Sequence, residues 1–229
     1  MLPMADNRYA FFDVDHTLIA GSTGKHLAFR CVKEGLLPFR NLLRIPLLYF
    51  HYRTGQLRPS ILEELLKQLR GIPIQRIRDL AAEIFDSRIR SIIFVRAVEQ
   101  IEEERRKGRI VALATSAPES IVAPLAEYLG ITEIVATRFE VRDEKLTGAF
   151  DGIPAFGRGK LERVCSFAES RSTDLRRCSF YSDSHYDLPL LSMVEEAVAV
   201  NPDRVLSGEA LRRGWSILNY KKVLGKSED

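Results

Sequence analysis

Four aspartates stand out because each follows a short apolar run. Asp13 and Asp15 follow Tyr9-Ala10-Phe11-Phe12, and Asp183 and Asp187 follow Cys178-Ser179-Phe180-Tyr181-Ser182. Carboxylates gathered in a low-dielectric crevice repel one another, and the usual remedy is a bound cation. A donor set made of oxygen suits Mg2+ or Ca2+, and the absence of a cysteine–histidine ligand set argues against zinc. Thr115 closes a third apolar run, Ile110-Val111-Ala112-Leu113-Ala114, with Ser116 next to it. Lys160 opens a helical stretch and can add a positive charge to the same place.

Those residues can meet only if the runs before them are neighbouring strands. Apolar runs predict buried strands at 9–12, 110–115, 133–137, 178–183 and 197–200. Helical periodicity predicts helices over 95–107, 120–129, 159–170 and 187–193, the second closed by Gly130. A hairpin is expected over 139–150, turning near Asp143-Glu144. Alternating strands and helices imply an α/β fold, a doubly wound parallel sheet covered on both faces. Residues 24–36, 36–52, 59–69 and 73–87 read as helices with no strand among them. The expected organisation is an α/β core of residues 1–20 and 92–229, with an all-helical cap, residues 21–91, inserted after the first strand. In such sheets ligands bind beyond the carboxyl ends of the strands, where the strand order reverses.

The 229 residues, 45% apolar and 28% charged, suit one large globular domain with a modest insertion. Cys31, Cys165 and Cys178 have no CxxC spacing, so reduced thiols are expected. No apolar run spans a bilayer and the N-terminus lacks a basic, apolar leader, which together predict a cytoplasmic protein. Charge is uneven: residues 25–90 hold 13 Lys and Arg against 6 Asp and Glu, a net of +7, leaving −4 for the rest of a chain whose total is +3. The basic stretch lacks interleaved stacking aromatics, which argues against nucleic acid as a partner.

The ordered set carries a resemblance. Phe12-Asp13-Val14-Asp15-His16-Thr17-Leu18 is similar to the first motif of the haloacid dehalogenase superfamily, and Leu113-Ala114-Thr115 resembles its second. Lys160 in Gly157-Arg158-Gly159-Lys160 looks like the third, and Asp183-Ser184-His185-Tyr186-Asp187 like the fourth. A helical insert between the first two motifs, together with Leu146-Thr147-Gly148 and Ala199-Val200-Asn201-Pro202-Asp203, resembles the phosphoserine-phosphatase-like branch. Ser182 stands where the family commonly has glycine. The resemblance implies a phosphatase in which Asp13 is the nucleophile and Asp15 the general acid and base. It implies Mg2+ held by Asp13, the Asp15 carbonyl and Asp183, with Asp187 holding the metal's waters or Lys160. Thr115 and Lys160 would face the phosphoryl oxygens, with Thr17 positioning; Ser116 is the other candidate for the motif-two hydroxyl. His16 and His185 flank the motifs, within reach of substrate.

The substrate is less determined. Phosphoserine phosphatases of this branch place a glutamate nine residues after the nucleophile, where this chain has Ser22, and no cap arginine matches their carboxylate binder. Arg30, Lys33, Arg40, Arg44, Arg53 and Arg58 surround the apolar Ile45-Pro46-Leu47-Leu48-Tyr49-Phe50. Such a pattern fits peripheral contact with an anionic membrane, packing within the cap, or a homodimer interface. The expected substrate is therefore a small or lipid-like phosphomonoester bound by a monomer or homodimer. Phosphoserine itself, and transfer of the phosphoryl group to an alcohol acceptor, are the alternatives.

Overall fold

The computed structural model describes residues 8–41 and 59–225. The carboxyl-terminal part of the helix expected over 36–52, and the apolar run 45–50 with Arg44, Arg53 and Arg58, lie outside the described residues.

Six strands form one parallel sheet. They are β1 (Tyr9–Phe12), β2 (Ile110–Pro118), β3 (Glu133–Thr137), β6 (Ser179–Ser182), β7 (Glu196–Val200) and β8 (Ser216–Leu218), in the spatial order β3-β2-β1-β6-β7-β8. The chain leaves β1 for β2 on one side and later returns to place β6 on the other, so the order reverses at β1. Side chains of β1 alternate between the faces. Ala10 and Phe12 enter one apolar layer, Tyr9 and Phe11 the other.

The first layer is built by α1 (Thr23–Lys33), α3 (Ile74–Ile84), α4 (Val95–Arg106) and α5 (Glu119–Tyr128). In α3, Ile74, Ile77, Leu80, Ala81 and Ile84 recur at helical spacing and are all buried. The second layer is built by α6 (Arg158–Ser170), the single turn α7 (Leu188–Leu191) and α8 (Arg204–Arg213). Glu104 of α4 is fully buried and ties the layers to the sheet. It accepts hydrogen bonds from Ser179 Oγ (3.0 Å) and Tyr181 OH (3.0 Å), and from Lys107 Nζ and Arg109 Nη1, each at 2.6 Å. Burial pushes its carboxyl up, but Lys107 and Arg109 together outweigh that and hold it below the usual glutamate range.

Between β1 and α4 the described chain is helical: α1, α2 (Pro59–Lys67) and α3. The helix expected to run to Ser87 instead widens after Ile84 into a π-helical turn at Phe85–Ile89 and a 3-10 turn at Arg90–Ile92. The chain leaves and rejoins the core at one stem, where Ala20 N donates to Ile92 O (2.8 Å) and Ile19 pairs with Ile93. A second tie is the hairpin β4 (Phe139–Arg142) and β5 (Lys145–Phe150). Its turn residues Asp143 and Glu144 both have positive φ (47° and 59°), the geometry that matches strand twist. Gly71 N donates to Leu146 O (2.8 Å), Leu146 N to Ile72 O (2.9 Å) and Ile74 N to Glu144 O (2.9 Å).

Two elements go beyond the sequence reading, which ends its strands at Val200. The helix α8 and the edge strand β8 follow, β8 pairing with β7 from Ser216 to Leu218.

Candidate active site

Asp13 is the first residue past β1, and its N–H continues the ladder by donating to Tyr181 O (2.9 Å). The chain then folds back on itself: Val14 O accepts from the N–H groups of Thr17 (3.3 Å), Leu18 (2.9 Å) and Ile19 (3.2 Å). His16 takes a left-handed conformation (φ 60°) in this turn, its N–H donating to Gly21 O (3.1 Å) and its carbonyl accepting from Asn201 Nδ2 (3.4 Å). Thr17 is buried, and its hydroxyl has no hydrogen-bond partner.

Asp15 is held by the start of α1. Thr23 gives both its N–H and its hydroxyl to Asp15 Oδ1 (2.9 Å each), and Ser22 Oγ donates to Oδ2 (2.9 Å). Ser22 also caps α1, accepting from Lys25 N (3.4 Å). The sequence reading did not single out Thr23; a Ser-Thr pair at a helix start reads only as a cap. Ser22, expected to face substrate, lines the adjacent cavity while it orients Asp15.

Thr115 lies at the carboxyl end of β2, beside β1, and is buried. The β2–β3 register shifts between Thr115 and Pro118, a bulge that lets Thr115 Oγ1 accept from Ala117 N (3.2 Å). Ser116 lines the cavity and its carbonyl accepts from Thr137 Oγ1 (2.8 Å).

Lys160 enters from the first turn of α6, and two glycines make that entry feasible. Gly157 sits at φ 55°, ψ −121°, a conformation that L side chains avoid, and a Cβ on Gly159 would collide with the Pro154 carbonyl. The ammonium of Lys160 is 2.6 Å from Asp187 Oδ2 and 3.2 Å from Asp13 Oδ1, with all three side chains at most 3% exposed. Burial pulls the lysine toward its neutral form, but Asp13 and Asp187 more than offset this and leave its pKa raised. Ser182 Oγ donates to the same Asp187 Oδ2 (2.6 Å) and accepts from Ser184 N (3.2 Å). The residue that departs from the family's glycine thus orients Asp187.

Asp183 is the first residue past β6, the strand beside β1, and is buried. Its carbonyl accepts from Asp203 N (2.8 Å), and Asp203 in turn accepts from the N–H and Nδ1 of His185 (2.8 Å each) while capping α8. Burial raises Asp203's pKa, but the N–H groups of Leu206 and His185 and the His185 ring outweigh it, leaving the carboxyl below its usual range. His185 is thereby engaged as a prop for the loop that carries Asp183 and Asp187.

The site carries more negative charge than one lysine neutralises. Burial, helped by the neighbouring Asp187 and Asp15, raises the Asp13 carboxyl to about 6 against the pull of Lys160. Asp13 Oδ1, although near Lys160, accepts no hydrogen bond. A divalent cation held by Asp13, Asp183 and a carbonyl fits this excess and the oxygen donors. Among the described residues no three acidic, histidine or cysteine side chains close into a cage.

Known proteins resemble the chain over most of its length. The family profile described as haloacid dehalogenase-like hydrolase matches residues 10–192. A Streptomyces azureus protein named inhibition of morphological differentiation protein is 36% identical, covering 93% of this chain and 78% of its own. The phosphoserine phosphatase SerB1 of Mycobacterium tuberculosis is 32% identical over 93% of this chain and 70% of its own. A histidinol-phosphatase of Neisseria meningitidis serogroup C is 31% identical over 93% and 98% respectively. The crystal structure of a protein of unknown function from Bordetella pertussis Tohama I superposes with a TM-score of 0.84 at 30% identity, covering 93% of this chain and 99% of that one. The parallel sheet with its order reversal at Asp13, the four ordered acids and the family profile agree: this chain belongs to the haloacid dehalogenase-like hydrolase family.

Proposed function

We propose that this hydrolase is a Mg2+-dependent phosphomonoester phosphatase acting through an aspartyl-phosphate on Asp13. The observation that carries this reading is the buried Asp13–Lys160–Asp187 chain at the reversal of strand order, with Asp15 beside it. Asp13 Oδ attacks phosphorus, and the P–O bond to the alcohol breaks as Asp15 gives its proton to the departing oxygen. Water then attacks the phosphorus, Asp15 takes a proton from it, and the bond to Asp13 breaks, releasing phosphate. Bound Mg2+ supplies charge neutralisation between the nucleophile and the phosphoryl oxygens. Lys160 and the Thr115 side face those oxygens, and Ser22 and Thr23 aim the Asp15 carboxyl. Residues 21–91 act as the cap that closes over the alcohol.

Relatives of nearly equal identity carry the names phosphoserine phosphatase and histidinol-phosphatase, so family membership leaves the alcohol open. The test is borohydride trapping during turnover of an aryl phosphate with Mg2+. Reduction of an acyl phosphate converts the residue 13 side chain to that of homoserine, read by mass spectrometry. Asp13→Asn should lose several orders of magnitude in rate. Turnover by Asp13→Asn near the wild-type rate, with no trapped product, overturns the mechanism.

A further inference from the structure

A cavity of about 270 Å³ opens at Asp15, Ser22 and Ser116 and extends between the helical insert and the core. Its walls are apolar on both sides. Leu27, Leu66 and Leu69 face it from the insert, and Phe139, Phe150 and Phe156 from the core. The polar groups in the lining are largely engaged by the protein. Ser22 donates to Asp15, Thr137 Oγ1 donates to Ser116 O and accepts from Ala155 N, and Asn41 Nδ2 donates to Gln68 Oε1. Asn41 keeps one buried acceptor oxygen without a partner. Lys25 stands exposed at the rim. Among the described lining residues Asp15 is the only carboxylate and there is no arginine. Among the described lining residues, the ammonium of an amino-acid phosphate would meet only Asp15, which already accepts three hydrogen bonds, and its carboxylate only Lys25 at the rim, so both charges would be desolvated at a cost.

We propose that the alcohol released by this enzyme has an apolar body, a medium-length alkyl or aryl group with at most one distal hydrogen-bond donor, seated in this cavity. The proposal rests on the phosphatase reading and adds the substrate class. At a water's share of ~30 Å³, 270 Å³ holds about nine atoms of that size, so the fit is to a chain of up to roughly nine carbons and not to a diacyl lipid. Each methylene moved from water into an apolar wall changes affinity about fourfold, the factor equivalent to ~0.8 kcal/mol.

The experiment is a homologous series of ethyl, butyl, hexyl, octyl and dodecyl phosphates, with phosphoserine and an aryl phosphate alongside. Expected are a kcat/KM that climbs about three- to fourfold per methylene and levels off near eight or nine carbons, and a phosphoserine value at least a hundredfold below that of hexyl phosphate. Ala28→Phe, on the half-buried cavity side of α1, should cut the hexyl-to-ethyl ratio at least tenfold by filling the space. Calorimetric binding of the same esters to Asp13→Asn reads the cavity without turnover and should show the same climb. A flat series in both kcat/KM and binding, or phosphoserine as the best substrate, overturns the apolar-alcohol proposal and leaves the phosphatase reading standing. Hydrolysis of none of the esters, with chain-length-dependent binding to Asp13→Asn, overturns the phosphatase reading and supports the cavity's preference.

Discussion

Replacing Asp13 by asparagine should make the metal-free protein more stable while it removes the proposed nucleophile. Asp13 is 1% exposed, and its carboxyl is raised from 3.8 to about 6, chiefly by burial. At ~1.36 kcal/mol per factor of ten, holding that group ionised costs the fold about 3 kcal/mol at neutral pH. The sign follows from linkage: an acid whose folded pKa is raised contributes stability that is fully present below 3.8 and lost as pH rises through about 6. Asparagine keeps the shape and removes the titration, and Lys160 retains Asp187 at 2.6 Å. Urea unfolding of both proteins in EDTA from pH 4 to 8 is the assay. The variant should gain about 3 kcal/mol above pH 7, or about 6–12 °C in Tm for a chain of this size, and the gain should fade toward pH 4. Excess Mg2+ should narrow the gap, because a ligand of the folded wild type adds its own stabilisation. A variant no more stable than wild type at pH 7.5 in EDTA, or a gap unchanged between pH 4 and 8, refutes the account of Asp13 as a destabilising buried charge.

Asp183→Asn should raise the half-saturating Mg2+ concentration at least tenfold while the protein still unfolds in one cooperative transition; an unchanged Mg2+ titration removes Asp183 from the cation site. Glu104→Gln should cost on the order of 3 kcal/mol at pH 7, since it discards one charge of a buried network holding Lys107 and Arg109. Glu104 has a lowered folded pKa, so its contribution is present above 4.5 and lost as pH falls through the lower folded value. The difference between the two proteins should therefore shrink in acid, and a pH-independent difference in denaturation midpoint counts against the assignment.

The parts legible in the sequence are those where burial writes a period. The β1 run Tyr9-Ala10-Phe11-Phe12 and the α3 face of Ile74, Ile77, Leu80 and Ile84 are buried throughout and were readable as a strand and a helix. The chain's hydrolase family, too, could be read from four short motifs in order. Helix α8 escaped because only Leu206 and Ala210 are buried along it, with Gly208 inside, so it carries almost no amphipathic signal. Strand β8 has only three residues, exposed or half-buried, at the sheet edge. The site's finer geometry was beyond reach for another reason. That Thr23 gives two hydrogen bonds to Asp15, or that Ser182 turns Asp187, depends on side-chain directions at element ends, where no periodicity exists. The apolar cavity depends on Leu66 and Phe139 meeting from distant parts of the chain.

The stem at Ile19 and Ile93 has a consequence for how such a fold can diversify. Because the chain leaves and re-enters the core one hydrogen bond apart, the residues between behave, for chain statistics, as a loop whose ends are already joined. The entropy of closing a loop grows only with the logarithm of its length, so doubling or halving the insert changes that entropy by about 0.6 kcal/mol. Insertions and deletions there are thus limited by what the insert packs against and scarcely by its length. The sheet and its four acids can stay unaltered while the wall that the insert contributes to the cavity changes in length and composition.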